Sequence, residues 1–333
     1  MQNKNSEVAE TSTNEKSSEE KSESPISGFW IRIFAFLIDG LVIGAFGLII
    51  GLIFRPYLIQ MGAWGRLLGF LIAIMYFGVQ NSVICQGQTI GKRITKIRVV
   101  NKNGKSISIG RSTCRSAILS LPYFLNGALI PPSITDSIFG VVLILVIFGG
   151  LICPVYLYIF NRKTRQSLHD LVCKTYVVKA RLAEPIAIGS VSRIHYVIVV
   201  LVFIGILISS IVLGSKPSKD RQYLDILYDA VNEIENSTPA GVSIGTATGP
   251  KGSNRYVAAR VTYQTDPGDL EAASEQIAEA ILATNPPISR YDDFITVTAL
   301  YGFDIGIASS WRWHVEGLTP AEWEERLRKK GVE

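Results

Sequence analysis

The sequence predicts an α-helical integral membrane bundle of about five transmembrane helices, followed by a soluble α+β domain. Three observations lead there. Apolar blocks of membrane-spanning length punctuate the first two thirds of the 333 residues. Charge is partitioned: Met1–Ser27 holds 3 basic and 6 acidic residues, Gly28–Ser215 holds 18 and 4, and Lys216–Glu333 holds 12 and 18. After Lys216 the long apolar blocks give way to amphipathic and alternating patterns.

Residues 1–27 are rich in Ser, Glu and Lys with almost nothing apolar, which predicts a disordered cytoplasmic tail without a signal peptide. The transmembrane domain is expected over 28–180, with apolar stretches at Ile31–Phe54, Leu67–Ile84, Ala117–Ile130 and Ile138–Phe160. The third is short and carries Pro122, Asn126 and Gly127, so it either spans or is re-entrant. Eight basic residues lie between Cys85 and Arg115 and seven between Asn161 and Arg193. The positive-inside rule puts both connectors in the cytoplasm, so the third stretch must cross and pair with the fourth through Pro131–Ser137. The first connector contains Asn103-Gly104 between two alternating runs, which predicts a basic cytoplasmic hairpin over 94–109. A basic linker (181–195) leads to an anchor helix at 196–213, five spans in all. The protein is then expected in the cell membrane, with its N-terminus cytoplasmic and residues 216–333 extracytoplasmic.

In that last region the spacing predicts an opening helix whose apolar face is Tyr223, Ile226, Leu227, Ala230, Val231 and Ile234, strands at Val242–Ala247 and Tyr256–Tyr263, and a helix over Leu270–Leu282. Strands at Ile295–Ala299 and Asp304–Trp313 and a final helix over Pro320–Lys330 follow. At nearly 120 residues it is large enough to bury a core.

The first span carries two ionisable residues, Arg32 and Asp39. Seven residues of helix return Asp39 to within about 20° of Arg32 and roughly 10 Å deeper. Charges in hydrocarbon cost about 2.5–3.5 kcal/mol each on insertion scales, so both must face protein or water. The returning second span brings Tyr76 to the depth of Asp39, and Gln80 and Asn81 to that of Arg32. These five residues are the candidate intramembrane polar site. A third group or water is expected between the arginine and the aspartate. The plain structural alternative is a fixed tie that sets helix registry. Gly40, Gly44, Gly47 and Gly51 share one face, a smooth seam for a close-packed helix.

Other chemistry finds little support. Cys85, Cys114, Cys153 and Cys173 form no CxxC pair, so neither a disulfide framework nor a zinc site is indicated. Gly87-x-x-x-Gly91-Lys92-Arg93 is one residue short of a phosphate loop and lacks its Ser or Thr. Trp311, Trp313 and His314 lack a neighbouring nucleophile. No cofactor, metal or enzymatic activity is therefore expected. The basic clusters flank apolar segments, which favours anionic lipid head groups over nucleic acid.

Arg32 with Asp39, the run from Gly87 through Gly91, Lys92 and Arg93 to Val100, and Arg165-Gln-Ser-Leu-His169-Asp170 together resemble the RDD family of membrane proteins, over Gly28 to about Lys179. The family's arginine matches Arg32, its first aspartate Asp39, and its second Asp170. The resemblance implies transport, in some members exchange of monovalent cations for protons. Asp170 follows His169 at the membrane edge, where the pair either passes protons inward or makes a local hydrogen bond. It does not reach the anchor helix or the C-terminal region.

Two functions follow as expectations. In one, the bundle moves a small cation or proton through a polar cleft at Arg32 and Asp39, alone or as a homo-oligomer. In the other, the helices are an anchor and assembly platform and the C-terminal domain binds a partner. Charge inside the first span favours the former, since an anchor needs only a segment like Tyr196–Leu213.

Overall fold

A computed structural model describes residues 25–128, 137–181, 189–214, 219–249 and 252–330. Helix α1 (Phe29–Met61) and helix α2 (Gly65–Gln80) form an antiparallel pair joined by a turn at Gly62–Trp64. At 33 residues α1 is about 50 Å long, more than a bilayer core of about 30 Å. Its geometry breaks at Phe54 (φ −111°, ψ 19°), where Pro56 removes a backbone donor and crowds the preceding turn.

Helix α3 (Ile90–Ile94) and strand β1 (Ile97–Val100) follow α2. Helix α4 (Ile109–Leu125) returns along α2, with Thr113 against Gly78 and Phe124 against Phe70. Helix α5 (Ile138–Phe160) runs back and relaxes into one π turn at Leu145–Gly149 ahead of Pro154. Helix α6 (Leu168–Cys173), strand β2 (Tyr176–Lys179) and helix α7 (Arg193–Gly214) complete this half. Helix α7 lies on the periphery, meeting α5 where Phe203 covers Gly149 and where the Tyr156 hydroxyl lies 3.0 Å from His195 Nδ1. Among the described residues, three stretches are long and apolar enough to cross a membrane: Phe29–Gln80, which holds both α1 and α2, Ile138–Phe160 and Arg193–Val212. Helix α4, with 17 residues and a length of about 25 Å, is not among them.

Three expectations change here. The 94–109 hairpin does not form. Its turn exists, with Asn101 Oδ1 accepting from the Asn103 and Lys105 amides and Gly104 at φ 78°, but β1 pairs antiparallel with β2, Val99 opposite Val177. Ile107 instead bridges to Ser82. Turn chemistry is local; the strand partner of Val99 lies far along the chain, and Val99 is fully buried in a cluster with Ile97, Ile107 and Val177. The N-terminal tail also ends earlier than residue 27. Ile26 bridges to Val178, and the Ser27 amide donates to Val177 O, so these residues extend the small sheet, while residues 1–24 lie outside those described. The 181–195 linker is shorter than expected, because α7 begins at Arg193; its residues 182–188, and the 131–136 turn, also lie outside the described segments.

The C-terminal domain opens with helix α8 (Lys219–Asn232) and builds a four-stranded sheet in the order β3 (Ser237–Gly249), β4 (Gly252–Tyr263), β5 (Phe294–Asp304), β6 (Ser309–Leu318). Strands β4 and β5 are parallel, as the crossover helix α9 (Leu270–Ala283) between them requires; the other pairs are antiparallel. Helix α10 (Pro320–Lys330) starts on a capping box: Thr319 Oγ1 accepts from the Glu322 amide, and the Glu322 carboxylate accepts from the Thr319 amide. One face of the sheet packs Val257, Ile295 and Val297 against Leu227, Ile277, Ile281 and Trp323 from the three helices. The opposite face carries no helix of the domain.

For the bundle, "basal" denotes the end bearing α3, α6, β1 and β2, and "apical" the end bearing the α1–α2 turn. The C-terminal domain sits at the apical end. The tip of its β5–β6 hairpin, Phe303–Ala308, is inserted between α1, α2 and α4.

Candidate functional site

At the basal end the polar residues of the spans form two nodes. The first is centred on Asp39, which is fully buried. Its Oδ1 accepts from the Tyr76 hydroxyl at 2.8 Å and from the Gly91 amide at 2.8 Å, and its Oδ2 accepts from the Thr89 hydroxyl at 2.6 Å. Thr89 is also the N-cap of α3, accepting from the Lys92 amide. Asp39 thus fastens the start of α3 onto α1. The approach demands glycine at residue 91: a Cβ there would overlap the Ala35 carbonyl and lie 3.0 Å from the Asp39 carboxyl carbon. Lys92 turns towards the bundle and donates to Asn81 Oδ1 at 2.8 Å, while Asn81 Nδ2 ties back to Phe77 O. Burial pushes the Lys92 ammonium down to about 7, with Arg115 adding to the effect and Asp39 and Asp170 opposing it.

The second node joins α4 to α6. Arg115 Nε donates to Asp170 Oδ1 at 2.8 Å, with both side chains buried. Thr175 Oγ1 donates to the same oxygen at 2.7 Å, and Arg115 Nη2 lies 3.1 Å from His169 Nε2. Burial alone would raise the Asp170 carboxyl, but the Arg115 and Arg32 guanidiniums outweigh it and hold the group well below the usual carboxylate range. Burial pushes His169 down to about 3, so its ring is neutral at ordinary pH and its imidazole is not a titrating proton carrier there. Arg32 reaches over this node and donates from Nη2 to Val177 O at 3.0 Å and from Nη1 to Arg165 O, with the Tyr158 ring beneath its guanidinium.

Of the residues singled out from sequence, Asp39 and Tyr76 meet directly, and Asn81 meets Lys92. Arg32 and Asp39 share no partner: each binds a different surface element. Gln80 is half-buried beside Tyr76. Gly87, at φ 76°, lies so close to the Val99 backbone that a Cβ would collide with its carbonyl, and Arg93 points outward. Sequence reasoning missed Thr89, Arg115 and Thr175. Thr89 directly precedes a short helix, an N-cap pattern that could have been read. Arg115 follows Arg111 by one turn in a basic run, so only burial distinguishes it.

The seam of small residues on α1 meets no helix. Gly44, Gly47 and Gly51 face the hairpin tip, while Gly40 faces open space. A Cβ at Gly47 would lie 2.9 Å from the Ala308 methyl, and one at Gly51 would enter the Phe303 ring. On α2, a Cβ at Gly65 would lie 2.8 Å from Asp304 O, and one at Gly69 would overlap Ile305 O. Phe303 and Ile305 pack on Leu58 and Ile59. Arg66 then clasps Asp304 through Nε (3.0 Å) and Nη2 (2.7 Å), and the Tyr123 hydroxyl donates to Gly306 O at 2.9 Å.

These buried nodes and apolar helices define a membrane-embedded helical region with a small basal sheet. The RDD family model matches residues 26–174, a little under half of the chain, and a further C-terminal region lies beyond the match. It is similar to "Uncharacterized protein YxaI" of Bacillus subtilis (strain 168), 27% identical over 173 residues, or 46% of this chain and 96% of the relative. "Uncharacterized protein YckC" of the same organism is 27% identical over 158 residues, covering 47% of this chain and 87% of the relative. No solved structure matches.

Proposed function

We propose that this RDD-family membrane protein is a platform: the bundle anchors the chain in the cell membrane and presents the C-terminal domain, docked on its apical end, to a partner. The observation that carries this reading is the insertion of the β5–β6 tip into the seam of Gly47, Gly51, Gly65 and Gly69. Those glycines leave room for the hairpin at its full depth, which a loose tether would not need. The basal node supports the same reading, because Asp39 accepts three hydrogen bonds from fixed donors and acts as a tie between α1 and α3. In this reading α4 crosses with the other helices to make five spans. The basal end, with Lys92, Arg93, Lys96 and Arg98 on or beside its short elements, faces the cytoplasm and anionic lipid heads, and the C-terminal domain is extracytoplasmic. The role requires no catalysis, cofactor or nucleic acid.

Ion or proton transport is the second reading, and one observation favours it. Lys92, hydrogen-bonded to Asn81, is pushed by burial down to about 7 although Asp39 and Asp170 oppose the shift, so the basal end contains a group able to exchange a proton. Homo-oligomerisation is compatible with either.

Complementation of a deletion strain separates the two. Gly69→Val displaces the hairpin without touching Asp39 or Lys92. If the platform reading is right, it abolishes complementation while the protein remains in the membrane. Cation- or proton-dependent flux into proteoliposomes that Asp39→Asn eliminates, in a variant that stays folded, would overturn the platform in favour of transport.

A further inference from the structure

The uncovered face of the C-terminal sheet and the apical end of the bundle enclose a trough of about 1010 Å³. Its chemistry is unusual for a sheet face. Small side chains level it: Gly241, Ser243, Ala258, Thr262, Thr296 and Thr298 occupy the middle of three strands. From this floor rises Arg260, opposite Gly241 on β3 and beside Thr298 on β5, so no neighbouring side chain covers its guanidinium. Arg260 has no hydrogen-bond or ion-pair partner among the described residues. The lining contains one carboxylate, Asp304, which is already occupied by Arg66 and by the Gly306 amide. The trough therefore keeps one uncompensated positive charge.

Its position restricts what can neutralise that charge. The lower wall is Gly62 and Ala63, in the turn that joins α1 to α2, and Arg66 in the first turn of α2. A turn joining two spans lies at the level of lipid head groups. Trp311 and Trp313 line the same trough, and Trp313 is largely exposed; indoles favour this interfacial depth. Leu300 and Val315 provide apolar surface beside them.

We propose that the trough binds the phosphodiester head of an anionic phospholipid, with Arg260 on the phosphate and the two tryptophans against the glycerol and upper acyl carbons. The planar guanidinium fork suits phosphate oxygens, and a head group arriving from the adjoining leaflet needs no passage through water. This inference rests on the platform reading in one respect, the docked position of the domain, and it names a ligand for the domain's open face.

Native mass spectrometry of the full chain in detergent, titrated with phosphatidylglycerol or with phosphatidylcholine, tests it. One phosphatidylglycerol should be retained about tenfold more strongly than phosphatidylcholine, the scale of one charge-assisted contact. Arg260→Gln should remove that adduct, whereas Arg328→Gln, which deletes the same charge from exposed α10, should leave it. Equal retention of the two lipids, or equal effects of the two substitutions, would overturn the proposal. So would complete displacement by glycerol 1-phosphate at matched concentration, since the site would then take a soluble phosphate ester. Failure here with Gly69→Val still blocking complementation removes the lipid and leaves the platform; the opposite pattern removes the platform alone.

Discussion

The basal and apical ends of the bundle are held by different physics. At the basal end, short surface elements are tied to the spans by buried charge and hydrogen bonds: Asp39 on Thr89 and Gly91, Arg115 on Asp170, Arg32 on two backbone carbonyls. At the apical end, a hairpin from a separate domain is held by fit, with glycines on α1 and α2 making room for Phe303, Ile305 and Ala308 and a single ion pair closing the edge. Charge ties are directional and fix register, but they fail abruptly when one partner is lost. A fitted seam tolerates the loss of a contact, but it depends on the absence of side chains and fails where one is added, as at Gly69. The basal end is thus built as a permanent joint, and the apical end as a joint between two folding units.

The sharpest way to break the comparison is at Asp170. Replacing it with Ala leaves the buried Arg115 guanidinium without its carboxylate, which should cost about 3–5 kcal/mol, read as a large loss of thermal stability in detergent. Replacing both partners, as Arg115→Met with Asp170→Leu, should cost clearly less, because no uncompensated charge remains. If the single and double variants are equally unstable, the basal joint depends on packing and the contrast between the two ends fails.

His169 sharpens the same end through pH. Its folded pKa, pushed down to about 3 by burial, lies below the ordinary value of 6.5. Between these values the unfolded chain binds a proton that the folded chain refuses, so stability falls as pH is lowered from 6.5 towards 3. The slope contributed by one group is at most about 1.4 kcal/mol per pH unit. Asp170 adds its own loss only below 3.8. Melting curves from pH 7 to 4 should therefore steepen on the acid side, and His169→Gln should flatten that part of the profile. An unchanged slope in the variant would mean that the imidazole is solvated.

Much of this architecture is legible in the sequence, and its failures have a common origin. Helices α5 and α10 begin and end where periodicity, Pro320 and the apolar run place them, because those signals are local. The α1 glycine face is legible too, but its occupant is not, since the hairpin tip lies some 250 residues away in sequence. Gly40 shares the period and touches nothing. Asp304–Trp313 reads as one continuous strand, yet Asp304 closes β5, Gly306 (φ 76°) turns the chain and β6 starts at Ser309. Arg32 and Asp39 lie on one side of α1 as the helical period requires. What separates them is the set of acceptors and donors each finds: Val177 O and Arg165 O for the arginine, the cap of α3 for the aspartate. Neither set can be read from spacing within one helix.

The smallest expected effect falls on the apical ion pair, and its smallness is informative. Arg66 and Asp304 are each about one quarter exposed, so solvent screens their attraction and the pair should contribute about 0–1 kcal/mol. If fit holds the hairpin, Arg66→Gln should leave a cysteine pair placed at Gly44 and Ile307 cross-linking as readily as it does in the parent, because a Cβ at Gly44 would lie 3.6 Å from Ile307 O in the docked state. Loss of the cross-link with this one substitution would show the apical joint to be electrostatic after all, like the basal one. Retention, together with its loss in Gly69→Val, would place the docking energy in the shape of the seam.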